Sequence, residues 1–144
     1  MKYSKATNYA LHSMVHLAME SDREAVRVED LASRQHLSPS YLSKILTKLS
    51  KAGLITSTPG VNGGYQLLGS PDSCSFLDII QAVEGQEAML NCTMTHESTH
   101  HHECLIENAI SEAEVKMQEV LAQKTIGDIL KEVHANISIR LRLD

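Results

Sequence analysis

The sequence contains no tryptophan, one phenylalanine (Phe76) and four tyrosines. Without large rings its core must be built from Leu, Ile, Val, Ala and Met, which together favour a mostly α protein. No apolar run approaches the roughly 20 residues of a membrane span. The first ten residues, MKYSKATNYA, lack a signal-peptide core. A cytoplasmic protein with no membrane partner is expected. The Gly-rich stretch GVNGG lacks the Lys-Ser/Thr that follows in a phosphate-binding loop. Neither a Cys nor a His is followed by an orienting third group at catalytic spacing, so no enzyme and no small-molecule substrate are expected.

Basic charge is also short overall, with 13 Lys and Arg against 18 Asp and Glu for a net charge of −5. The deficit is uneven. Residues 1–68 hold eight basic and five acidic side chains, whereas residues 69–144 hold five and thirteen. An N-terminal half that meets phosphate and an acidic half that meets protein fit this split.

What is present centres on residues 38–65. Ser38 is a good N-cap and Pro39 suits the first helical position. Leu42, Ile45, Leu46 and Leu49 then form one apolar face, leaving Ser40, Tyr41, Ser43, Lys44, Thr47, Lys48 and Lys51 elsewhere. Gly53 stops the helix. Residues 54–58 alternate as a strand, 59–64 form a turn-rich connection and 65–68 form a second strand.

Just upstream, residues 28–34 (VEDLASR) read as a short helix, and Gln35, His36 and Leu37 as the tight turn between the two helices. Helix, turn, helix and hairpin together outline a winged helix-turn-helix. In that arrangement the second helix enters the major groove of double-stranded DNA. Ser38, Ser40, Tyr41, Ser43 and Lys44 are therefore placed at the bases and Lys48 near the backbone. Lys5 at the chain start and Asn62 in the wing turn join the set.

Helices are further expected over residues 4–19, 75–84, 104–123 and 125–143. Ser75 and Asp78 have capping-box spacing, and Thr125 caps the last helix. In the 104–123 helix, Ile106, Ile110, Ala113, Met117 and Val120 recur at steps of four and three. This heptad seam suits pairing with a symmetry mate, and a homodimer would present two recognition helices to two half-sites. The organisation read from the sequence is a DNA-binding domain at 1–84, a Cys/His-rich sensor loop at 85–103 and dimerisation helices at 104–144.

The segments KATNYAL, LSPSYLSKILTKLSKAGLI, GVNGGYQL and SFLDIIQAVEG together resemble the Rrf-two family of bacterial regulators. The likeness spans essentially the whole chain. It implies a dimeric winged helix-turn-helix transcriptional regulator, commonly a repressor, with a long C-terminal dimerisation helix. Two departures stand out. Where many relatives have an arginine before the first wing glycine, this chain has Pro59. Where cluster-binding relatives carry three loop cysteines, it has Cys92, Ser98 and Cys104.

Three readings of the loop remain open. Cys92 and Cys104 with His96, His100 or His102 can ligate an iron-sulfur cluster, or a transition metal such as zinc. Alternatively Cys104, where the long helix begins, is a sensor thiol for oxidants or electrophiles with Cys92 as its resolving partner. Or the loop senses nothing. The expected function is a regulator whose operator affinity follows the redox, electrophile or metal state of this loop. The alternative is a metal-binding or interaction module that keeps the fold but binds DNA weakly.

Overall fold

The computed structural model describes residues 2–20, 25–94 and 104–136. Helix α1 (Lys5–Met19) starts at Ser4, whose hydroxyl accepts from the Thr7 N–H. Ala10, Met14 and Leu17, spaced four and three apart, form its buried stripe. Helix α2 (Val28–Arg34) buries Leu31 and Ala32. After the turn at residues 35–37 comes α3 (Pro39–Lys51), with Pro39 at its first position and the Ser38 hydroxyl accepting from the Tyr41 N–H. The four apolar positions expected inside, Leu42, Ile45, Leu46 and Leu49, are all buried.

Gly53, at φ +76°, reverses the chain after α3 in a backbone region that side-chain-bearing residues avoid. Strands β1 (Ile55–Thr58) and β2 (Gly64–Leu67) then pair antiparallel, Ile55 opposite Leu67 and Thr58 opposite Gly64. The wing has one rung that the sequence pattern did not reveal. Val26 and Tyr65 exchange backbone hydrogen bonds of 2.8 and 2.7 Å, which docks the hairpin on the segment preceding α2. A single bridging residue has no periodicity to detect.

A 3-10 turn at Pro71–Ser73 precedes α4 (Phe76–Glu84), which opens with the expected Ser75/Asp78 capping box. Helix α5 (Leu105–Gln123) lies against α4, and α6 (Ile126–Ala135) returns to α1. A second capping box, Thr125 with Asp128, starts α6. The last helix was expected over 125–143, but residues 137–144 lie outside those described. The connection into α6 is held by backbone bonds from Phe76 to Lys124 (2.8 Å) and from Ile126 to Cys74 (3.0 Å). Ile126 is fully buried in one core with Met14, Leu31 and Leu46. Burying such a side chain contributes about 2 kcal/mol. The segment read as dimerisation helices thus lends its last helix to the N-terminal core, while α5 has no buried residue.

Candidate nucleic-acid interface and thiol site

With its apolar stripe in the core, α3 presents the opposite side outward. Ser38, Ser40, Tyr41, Lys44 and Lys48 are exposed and Ser43 is half-buried. The helix PSYLSKILTKLSK carries three lysines and no acid, so its outward side is uniformly cationic. Tyr41 is held edge-on to Tyr9, ring centres 6.1 Å apart at 87°, which fixes the start of α3 against α1. The Lys48 ammonium donates to the Val83 carbonyl at 3.4 Å, at the carboxyl end of α4. Lys5 is exposed at the first turn of α1, and Asn62 at the wing turn. Beside Asn62, Val61 is 89% exposed, an apolar wing tip that the sequence reading passed over.

The thiol site lies at the start of α5. Cys104 is the N-cap residue of α5, and Cys92 lies in the coil segment that returns alongside it. That segment is tied to the helix by the Met89 N–H donating to Glu114 Oε2 at 3.2 Å. The sulfurs of Cys92 and Cys104 and a carboxylate oxygen of Glu107 all lie within 4.8 Å of one another. Glu107 was not among the candidate ligands read from the sequence. Its signal is simple in retrospect, because a residue three positions along a helix shares the face of the first.

The Glu107 N–H and the Cys92 thiol, followed by the Ile106 N–H, hold the Cys104 thiol below its ordinary value, against desolvation and the Glu107 charge. For Cys92 the largest single effect, from the Met94 backbone, is downward. The Cys104 hydrogen bond, desolvation and the Cys104 and Glu107 charges outweigh it, so Cys92 sits above the ordinary value. Cys74 differs from both. Burial, with the Asp78 charge, pushes it up to about 11, which makes it an inert core thiol. None of the three forms a disulfide.

The donor set tests the metal readings. Two thiolates and a carboxylate within 4.8 Å suit one divalent ion of the zinc type, which accepts both ligand classes. An iron-sulfur cluster takes four protein ligands, chiefly thiolates, and this group supplies two. His96, His100 and His102, named as further ligands, lie outside the described residues, as does Ser98.

A family model described as Rrf2, iron-dependent transcriptional regulator, matches residues 3–132. The chain belongs to the Rrf2 family. Among Rrf2 relatives, the protein rrf2 of Nitratidesulfovibrio vulgaris is 32% identical over 133 residues, covering 92% of this chain and 89% of that one. The structure of T. potens IscR superposes with a TM-score of 0.74 at 28% identity, covering 94% of this chain and 91% of the other. The oxidised form of Staphylococcus aureus CymR gives 0.68 at 28% identity, over 88% and 93% of the two chains. This Rrf2-family chain is accordingly a DNA-binding transcriptional regulator with a mostly α, winged helix-turn-helix fold, and not an enzyme. No described helix is long and apolar enough to cross a membrane.

Proposed function

We propose that the chain is a cytoplasmic repressor that binds its operator as a homodimer and whose affinity follows the chemical state of the Cys92–Cys104 pair. The observation that carries the DNA part is the acid-free outward side of α3, opened by a Ser-Pro cap and backed by a docked wing. Ser38, Ser40, Tyr41, Ser43 and Lys44 read bases from that side. Lys48 and Lys5 reach phosphate, and Asn62 meets the duplex from the wing.

Dimerisation is supported by α5. Ile106, Ile110 and Val120 are between 39% and 71% exposed there, a stripe that one chain leaves in water. Of the seam expected from the sequence, Met117 alone turns half inward, where its sulfur accepts from the Tyr3 hydroxyl at 3.7 Å. A second copy of α5 covers such a stripe at low cost and sets the distance between the two α3 helices.

Cys104 lies where α5 begins, so oxidation, electrophile attack or metal ligation there acts on the helix that spaces the two readers. When bound, a divalent ion held by Cys92, Cys104 and Glu107 supplies fixed charge that ties the coil segment to α5. The oxidised CymR relative supports a redox response.

The test is fluorescence anisotropy on duplexes enriched from a random pool, as a function of salt. Contacts to about six to ten phosphates predict a log-log slope of about −5 to −9. Ser40→Ala with Lys44→Met should weaken specific binding by about tenfold or more. A slope near zero, or a monomer in sedimentation equilibrium at micromolar concentration, sinks the proposal.

A further inference from the structure

The thiol site holds more chemical information than a ligand set. Two sulfurs share it, and they are not equivalent. Cys104 occupies the N-cap of a 19-residue helix, where backbone N–H groups converge, while Cys92 sits on a coil segment with its sulfur within 4.8 Å of the Cys104 sulfur. A coil can close a gap that two helices could not. Sulfurs within 4.8 Å need a modest local shift to reach the roughly 2.05 Å of a disulfide. No other described cysteine competes, because Cys74 is buried in the core, 5% exposed.

We infer that Cys104 and Cys92 form an intrachain dithiol-disulfide couple that reacts with hydroperoxides, Cys104 attacking first and Cys92 resolving. This deepens the regulatory reading above and rests on it only for the consequence at the operator.

In the first step the Cys104 sulfur attacks one peroxide oxygen and the O–O bond breaks. The product is a Cys104 sulfenic acid, and the other oxygen leaves with the thiol proton, as water from hydrogen peroxide or as an alcohol from an organic hydroperoxide. In the second step the Cys92 sulfur attacks the Cys104 sulfur, an S–S bond forms and the S–O bond breaks. The sulfenic hydroxyl leaves as water with the Cys92 proton. Two thiols lose two electrons in total, and one hydroperoxide gains them.

The order of attack follows from the geometry. N–H groups at a helix start stabilise a developing negative sulfur, which favours Cys104 as the entering nucleophile. Cys92, on the movable segment, approaches the oxidised sulfur from outside the helix. The product would pin the segment after α4 to the first turn of α5, joining the end of the DNA-binding half to the helix that spaces the dimer.

The experiment uses the full chain and hydrogen peroxide, without DNA. Wild-type protein should lose two hydrogens, about 2 Da by intact mass, and a non-reducing peptide map should join the Cys92 and Cys104 peptides of one chain. Cys92→Ser should stop at a sulfenic acid that dimedone traps on Cys104. Cys104→Ser should react about tenfold more slowly or less. A crosslink between two chains, a bridge to Cys74, or Cys104→Ser reacting as fast as wild type would overturn the inference. Anisotropy on enriched duplexes forms a separate arm. If the disulfide forms and affinity is unchanged, the chemistry stands and the regulatory reading falls.

Discussion

The Lys48 ammonium donates to the Val83 carbonyl at 3.4 Å, so α3 is tied to the last turn of α4, from which the chain runs on toward Cys92. A cation at a helix carboxyl end is worth about 0.3–1 kcal/mol at an exposed site. Lys48→Met keeps the methylene stem and removes the charge. Urea melts of the DNA-free protein should show a loss of about 0.5 kcal/mol. In the proposed complex the same charge meets phosphate once per protomer, so the salt slope of the homodimer should become shallower by about 1.8. An unchanged slope would assign the ammonium to α4 alone.

Glu84 makes the corresponding tie to α1. Its Oε1 accepts from the Thr7 hydroxyl at 2.6 Å and the Ser4 N–H at 2.7 Å, and these bonds hold the carboxyl below its ordinary value of 4.5. A carboxylate depressed in the folded state stabilises fully above the unfolded value and loses that contribution as pH falls through the folded one. Because Glu84 is exposed, solvent screening limits the effect to under about 1 kcal/mol. Glu84→Gln should therefore be less stable than wild type at pH 7. The two melting curves should converge as the pH falls below 4.5. A constant difference down to pH 2 would show that the charge does not matter.

The docking of the wing on the segment before α2 depends on Gly64 lacking a side chain. At Gly64, φ is +155°, and a Cβ there would lie 2.3 Å from the Val26 carbonyl oxygen, a backbone atom that cannot swing away. Gly64→Ala must therefore break the Val26–Tyr65 rung, at a cost of about 1–3 kcal/mol by the scale of overpacking. The hairpin should detach before the core does. Hydrogen exchange should speed up at Val26 and Tyr65 while Leu46 and Ile79 keep their protection, and DNA affinity should fall. A uniform loss of protection would place the wing inside the cooperative core instead.

Strong local rules made much of this molecule legible. A Ser-Pro cap and four apolar positions at helical spacing defined α3, and Ser75 with Asp78 defined the start of α4. Long-range facts were not legible. The Val26–Tyr65 rung joins two single residues, and the backbone bonds that seat α6 on Cys74 and Phe76 span about fifty positions of sequence. The tight turn is legible, but not that His36 holds it at φ +55°, because histidine is enriched in that region among non-glycine residues yet adopts it too rarely for its presence to announce it. At the thiol site the two cysteines were visible by residue type. Glu107 was not, because a glutamate on a helix is ordinarily solvated and only the return of the 86–94 segment shows what it faces.

Pro59 is exposed in the wing beside Val61 and Asn62. Proline carries no charge and no N–H, so the wing presents an apolar tip and one amide side chain. Pro59→Arg adds a guanidinium suited to a narrow minor groove. Each protomer would then gain one phosphate-proximal charge, and the salt slope of the homodimer should steepen by about 1.8. Affinity should rise most on duplexes with an A/T tract under the wing and little on G/C-rich ones, because groove width sets how strongly the guanidinium is held. The measurement is a set of salt titrations on two duplexes that differ only in that tract. Equal gains on both would mean that the arginine meets the backbone outside the groove. No gain on either would mean that the wing does not reach the duplex, and Asn62 would leave the DNA-binding set with it.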